Sequence, residues 1–587
     1  MGKDGQFKSF KDLLRSQGGE PEPEPEESTV RIERGDDVYD GDLADADLPE
    51  IKDLAHDGAR AIVVSRPNGF GPMDTGPKPY RNVESEEMEL LHSFRVRTVF
   101  PNDVLGEVTS LPSDPRPEDF EGREDLRGER IFTIDGADAK DYDDAIGIKD
   151  LGDGRVELGV HIADVGHYVR PGTALDKEAL TRGTSVYVAD QVVPMLPEAL
   201  SNGLCSLVGG RNRLAYSVIM VFDAKGKRES ARVTKSVIKS VRRNTYAEVQ
   251  DVLDGKADLP ADLMDLEPDL RLFERWTRTQ QKIRDAKGSL RMQSVERKFR
   301  FDEQHEPIEV YIYPKYFSNT LIEETALAAN QAVGDLFRER GLPTIYRVHP
   351  EKDPDEVEAV AKALEAHGIR VPKKDRLTAR DVGRLIQVAR RRPNAEALIQ
   401  RIMGLVERAV YEVKDHEDVA KHFGLAREAY LHFTSPIRRY PDLIVHRFLW
   451  GVESRGDEAE EELKTDDLVQ ELSDVAAHCS LQADVAGMVE RAVFDLKVCQ
   501  LMHPHIGETI VADVQRVSMA GLEVLLKEHN VTGFLPARSI GEKSKVEGPT
   551  IQIRQGRRTL SFTEGHPIKV LLKDVDFVRL QVMLELA

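Results

Sequence analysis

Nothing in this chain approaches a run of eighteen apolar residues, which excludes a helical membrane span. The first residues, Met1-Gly2-Lys3-Asp4-Gly5, carry no apolar core of a secretory signal. Cysteine is scarce: Cys205, Cys479 and Cys499 lie far apart. Such usage fits a reducing cytoplasm, predicts no disulfides and leaves no Cys spacing for a structural metal. Positive charge is short too, with 82 Lys and Arg against 104 Asp and Glu and a net charge of -22. At face value that argues against a nucleic-acid partner, but the charge is unevenly spread. What is present describes a soluble globular chain, 40% hydrophobic and 32% charged. Its 587 residues are too many for one core and predict several domains.

Much of the acid lies at the front. Residues 1–50 read as a disordered acidic arm around Glu20-Pro21-Glu22-Pro23-Glu24-Pro25-Glu26-Glu27, which cannot bury a core. Ahead of it, residues 7–14 have the spacing of a short amphipathic helix. The arm either screens a basic groove or simply stays solvated. Residues 51–98 read as a small lead-in domain, with a strand at Ala61-Ile62-Val63-Val64 and a loop over 67–72. From 99 to 502 strands and helices mix, an α+β pattern. Asn102 is the expected N-cap of a helix through Val104 and Val108. Strands are expected at 156–162, 216–222 and 232–241, with a turn at Ala224-Lys225-Gly226 between the last two. Helices are expected at 321–338, 353–367, 380–392, 395–413, 436–450 and 466–502. From 503 to 587 six short strands (510–514, 522–526, 532–535, 550–553, 567–575 and 580–586) predict a small barrel of the OB type.

The densest chemistry is Thr133-Ile134-Asp135-Gly136-Ala137-Asp138-Ala139-Lys140-Asp141-Tyr142-Asp143-Asp144-Ala145. Five like charges this close repel, and hard divalent cations with oxygen ligands offset them best. Apolar flanks place the cluster at the end of a buried strand, from which Asp135, Asp141, Asp143 and Asp144 can face one or two ions. A solvated acidic loop is the plainer alternative. Over 216–243 eight cations (Lys225, Lys227, Arg228, Arg232, Lys235, Lys239, Arg242 and Arg243) face only Asp223 and Glu229. That is either a surface for a polyanion beside the metal site or a solvated strand face.

In His432-Phe433-Thr434-Ser435-Pro436-Ile437-Arg438-Arg439-Tyr440-Pro441-Asp442, Ser435-Pro436 reads as a helix start. Arg438 then sits near its positive end, able to fork onto a phosphate oxygen or to pair with Asp442. Tyr187 lies near the apolar loop Pro194-Met195-Leu196-Pro197 and Leu204-Cys205-Ser206-Leu207, as a base-stacking ring or a buried one. In the barrel, Phe534 and Arg538 beside Arg554, Arg557 and Arg558 read as an RNA-binding face or a solvated rim.

Together these stretches resemble the ribonuclease II/ribonuclease R (RNB) family over about residues 100–500. The likeness extends through His161-Ile162-Ala163-Asp164-Val165, Arg182-Gly183-Thr184-Ser185-Val186-Tyr187, Ile322-Glu323-Glu324 with Ala329-Asn330, and His422-Phe423-Gly424-Leu425-Ala426. Residues 505–587 are similar to the S1 domain that ends these enzymes, with Ala520-Gly521-Leu522-Glu523 in place of its usual Phe-Gly-rich strand. The resemblance implies a monomeric, processive, hydrolytic 3′→5′ exoribonuclease that releases nucleoside 5′-monophosphates from single-stranded RNA. By motif position Asp135, Asp141, Asp143 and Asp144 would hold magnesium (manganese being the alternative) and the attacking water. Asp143 and Arg438 would be catalytic, with Arg438 on the scissile phosphate. Tyr187 would stack on the 3′-terminal base, and Glu490 would contact the last nucleotides.

Three departures stand out. Residues 1–95 show no copy of the cold-shock domains that guide RNA in this family. Met292 stands where an aromatic partner of Tyr187 is expected. Lys315-Tyr316-Phe317-Ser318-Asn319 replaces an Arg-Asn-Asp-Ala-His type run. They motivate a rival expectation, an RNA-binding regulatory protein on a retired nuclease scaffold.

Overall fold

The structure, a computed structural model, describes residues 85–587 apart from 190, 291–294, 304, 375, 393 and 415–420, together with two short strands. These strands, Ile32–Arg34 and Asp37–Tyr39, pair antiparallel within the acidic arm. The expected elements at 7–14, 20–27, 61–64 and 67–72, and Met292, lie outside the described residues.

A five-stranded sheet organises the middle of the chain. Its order is Glu124–Asp125, Arg228–Lys239, Asn212–Phe222, Arg155–Ala163, Asp144–Gly152. All neighbours run antiparallel except Glu124–Asp125, which lies parallel to its partner. The central strand Asn212–Phe222 is buried on both faces and is apolar almost throughout, as a doubly covered strand must be. Helix Glu267–Lys287 covers one part, where Phe273 meets Phe132 edge-on and Trp276 meets Phe222. Elsewhere Tyr216 meets Phe433 and His446.

The long helix Asp466–Met502 has 37 residues, about 55 Å by the rise of an α-helix. Leu90 and Leu91 of helix Ser85–Ser93 pack against its Val489 and Val493, so the chain joins this body ahead of residue 99. At its other end Val498, Cys499, Leu501 and Met502 enter the core of the C-terminal barrel. No helix among the described residues is long and apolar enough to cross a membrane. All three cysteines are free and buried.

Several elements differ from expectation. Helix Asn102–Ser110 starts one residue early: Pro101 takes the N-cap position and Asn102 is already helical. The helix expected over 395–413 ends at Met403, before Gly404; Val410–Lys414 is a strand paired with Thr344–Val348. Its β-branched and aromatic residues suit a pleated surface better than a helix. Of the six C-terminal strands, five close the barrel: Thr509–Ser518, Gly521–Leu526, Val531–Pro536, Gln581–Leu586 and Pro567–Asp576. The sixth, Thr550–Gln555, is the middle of a separate sheet with Lys543–Glu547 and Arg558–Thr563.

Candidate active site

The acidic cluster is a loop clamped at both ends. Strand Thr133–Asp135 lies parallel to Arg243–Thr245, placing Asp135 opposite Thr245. The chain then leaves this two-stranded pairing and enters the five-stranded sheet at Asp144, the first residue of strand Asp144–Gly152. Arg243 donates to the carbonyls of Gly136 (2.7 Å) and Ala137 (2.8 Å). Ser206 donates to the Lys140 carbonyl (2.8 Å) and accepts from the Tyr142 amide (3.0 Å). The Tyr142 carbonyl accepts from Leu207. The apolar loop 204–207 is therefore the floor on which the acidic loop rests.

All four aspartates are costly to ionise there. Burial is the main cause at each, because a charge loses its hydration. Asp135 is pushed up to about 8, by burial and then by Asp144. Asp144 is pushed up to about 6, with Arg438 and Arg439 opposing. Asp143 is raised well above the carboxylate range, and Asp141 is raised, each again opposed in part by Arg438. Asp135 Oδ2 is buried with no hydrogen-bond partner. An all-oxygen donor set with a buried, unpartnered oxygen fits a hard divalent cation. Among the described residues, no three of these carboxylates gather within 4.8 Å of one another. Like charges keep their distance, and Asp143 leans instead on Ile437 and Arg438.

Arg438 is not on a helix. Residues 435–438 form a turn, and the helix runs Tyr440–Arg455, with Pro441 in its first turn. The reason is Asp442, fully buried. It accepts from the Ser435 amide (2.8 Å) and from both Arg439 Nε (2.9 Å) and Nη2 (2.7 Å). Asp442 thus pairs with Arg439, not Arg438. The Ile437 amide donates to Asp143 Oδ1 at 2.9 Å, and Arg438 Nε lies 3.5 Å from Asp143 Oδ2. The Arg438 side chain stays 39% exposed, leaving its fork accessible beside the acidic loop. Upstream, Asn330 accepts from the Phe433 amide (2.8 Å) and donates to the Tyr430 hydroxyl (2.9 Å). Asn330 lies on helix Phe317–Glu339, and Gly334 of the same helix lets it approach, since a Cβ there would collide with the Ala429 carbonyl oxygen.

Tyr187 sits on hairpin strand Val186–Val188, between two buried valines, so its ring points the opposite way. The residue is 39% exposed, which favours the stacking reading. Asp141 and Arg438 both act on it electrostatically. Its amide donates to Glu490 Oε1 at 3.4 Å, which brings Glu490 of the long helix beside the hairpin. Asp135, Asp141, Asp143, Asp144, Arg438, Tyr187 and Glu490 are therefore neighbours. Phe534, half-buried on a barrel strand, and exposed Arg538, in the short helix Ala537–Ile540, belong to the barrel.

The basic surface expected over 216–243 is largely spent inside the protein. Arg228 pairs with Asp335, Arg232 with Glu124, Lys235 with buried Asp164, and Arg242 with Glu248 and Asp262. Arg243 holds the acidic loop. Apart from those of Arg242, their partners lie 71 or more residues away in sequence, which is why a count of nearby charges misses them. Sequence reading also passed over Arg243, Arg439 and Asp442 as positioning residues. The Arg-Arg-x-x-Asp spacing is the available signal: of the two open readings of Arg438, pairing with Asp442 is not the one seen, because Arg439 takes that carboxylate.

Residues 123–455 match the RNB domain family model. The chain belongs to the RNB family. It is 36% identical over 485 residues to Ribonuclease R of Thermotoga maritima, covering 82% of this chain and 67% of that protein. To Ribonuclease R 1 of Lactococcus lactis it is 33% identical over 491 residues, covering 83% of this chain and 59% of the relative. The chain thus spans roughly three fifths to two thirds of the length of these RNB relatives. Among solved structures it is similar to Mycoplasma genitalium RNase R in complex with ribose methylated single-stranded RNA. There the TM-score is 0.75 at 25% identity, over 86% of this chain and 78% of the other.

Proposed function

We propose that this chain is a metal-dependent 3′→5′ exoribonuclease, processively hydrolysing single-stranded RNA to nucleoside 5′-monophosphates. The observation that carries this reading is the meeting of a half-exposed arginine fork with one buried and three half-buried carboxylates that have too few cations of their own. The kinship with enzymes named Ribonuclease R supports it.

Asp135, Asp141, Asp143 and Asp144 would hold magnesium, or manganese, which would supply water activation and charge neutralisation at the scissile phosphate. Arg438 binds a non-bridging oxygen of that phosphate through its planar fork. The Ile437 N–H fixes Asp143 in one rotamer. Tyr187 stacks on the 3′-terminal base, and Glu490 contacts the sugar of the last nucleotides, where a 2′-hydroxyl distinguishes RNA. Phe534 and Arg538 of the barrel bind RNA further upstream.

The test uses RNA labelled at the 5′ or the 3′ end, with magnesium or with EDTA. The reading expects immediate release of labelled mononucleotide from the 3′ label, and EDTA abolishes it. RNA that is bound but never shortened would favour a retired scaffold.

A further inference from the structure

A second set of ligand-type side chains lies far along the chain from the acidic loop. His505, Glu508 and His529 bring one ligand atom each within 4.8 Å of one another. They come from three segments. His505 ends the short turn His503–His505 that follows the long helix. Glu508 immediately precedes barrel strand Thr509–Ser518. His529 lies in the turn between strands Gly521–Leu526 and Val531–Pro536.

The backbone under each is fixed. The Glu508 amide donates to His505 O (3.1 Å), its carbonyl accepts from Leu572 (2.9 Å), and the His529 amide donates to Leu526 O (3.2 Å). Next to His529, Asn530 takes a positive φ of 56° and its side chain donates to Val310 O. The two imidazole rings stand 4.7 Å apart, and His505 Nδ1 is 3.1 Å from Glu508 Oε2.

Ligand bonds of about 2.0–2.2 Å in a tetrahedral zinc site put neighbouring donor atoms roughly 3.3–3.5 Å apart. The His505–Glu508 pair is already near that separation, and rotation of partly exposed side chains closes the rest. Two imidazoles and one carboxylate suit a borderline-soft divalent ion, not magnesium. Glu508 is 55% exposed, so a fourth position can take water. Glu528 adds negative potential at His529, while the adjoining Lys527 is engaged by Asp513. A plain His505–Glu508 ion pair would leave the facing His529 ring unused and a cation beside it.

We propose that His505, Glu508 and His529 bind one zinc-class divalent ion, which ties the barrel hairpin to the junction between long helix and barrel. This is independent of the nuclease reading.

The full chain, in excess Mg2+ to fill the acidic site, is dialysed against ZnCl2. Wild type retains one zinc, while His505→Ala and His529→Ala weaken retention by about 10–100-fold or more. Circular dichroism confirms that both variants fold. Unchanged zinc uptake in both folded variants overturns the site. As a second readout, Co2+ on the wild type gives the intense visible bands of a four-coordinate, nitrogen-ligated ion. A weak octahedral-type spectrum overturns it equally.

Discussion

Arg438 Nε lies 3.5 Å from Asp143 Oδ2, while the amide of the preceding residue, Ile437, donates to the other oxygen of the same carboxylate at 2.9 Å. Two segments almost 300 residues apart in sequence therefore hold a common geometry. The turn that presents the arginine also fixes the aspartate.

Replacing Asp143 by Asn removes a charge and keeps an oxygen for the Ile437 N–H. Hydrolysis should fall by about 10²–10³-fold or more, with RNA binding retained. Single-turnover rates and a filter-binding titration check both halves. Because the carboxyl is buried and costly to ionise, the Tm should not fall.

Arg438 is half-exposed and its planar fork is the property invoked. Arg438→Lys should lose most of the activity that Arg438→Ala loses, since an ammonium cannot bind a phosphate bidentately. Steady-state kinetics should place the loss in kcat more than in KM.

Asp442→Asn leaves half-buried Arg439 beside a neutral group. Breaking such a pair costs about 3–5 kcal/mol. Urea unfolding should show that loss, and activity should drop because the one oxygen Asn keeps cannot hold both the Ser435 N–H and the Arg439 fork, so the turn that carries Arg438 loosens. A change within the error of unfolding data would contradict the positioning role.

Asp135 is near 3.8 in the unfolded chain and is pushed up to about 8 in the fold. Between these values the folded state keeps a proton that the unfolded state has released, so metal-free stability falls as pH rises from about 4 to 8. Asp144, pushed up to about 6, adds to the lower part of that window. A divalent cation needs the ionised carboxylates. Magnesium should therefore raise the Tm more at pH 8 than at pH 6, as thermal melts with and without EDTA would show. A pH-independent increment would contradict the site.

Local patterns in the chain were enough for the acidic loop, the central strands and most helices, because each is written in adjacent residues. The helix Pro354–Ala366, capped by Asp353, and the long helix Asp466–Met502 follow their apolar spacing. Long-range pairing was not legible. The strand Val410–Lys414 depends on Thr344–Val348, and the Arg438 turn on an Asp442 that prefers Arg439. The cations over 216–243 read as a free surface because Asp335, Glu124 and Asp164 reach them only in the fold.

The most direct measurement is the product of wild-type protein on 3′-labelled single-stranded RNA with magnesium, beside the same reaction in EDTA and the same protein as Asp143→Asn. The predicted result is labelled nucleoside 5′-monophosphate in the first reaction and none in the other two. Equal release in all three would contradict the assignment of the acidic loop as the metal-dependent catalytic centre.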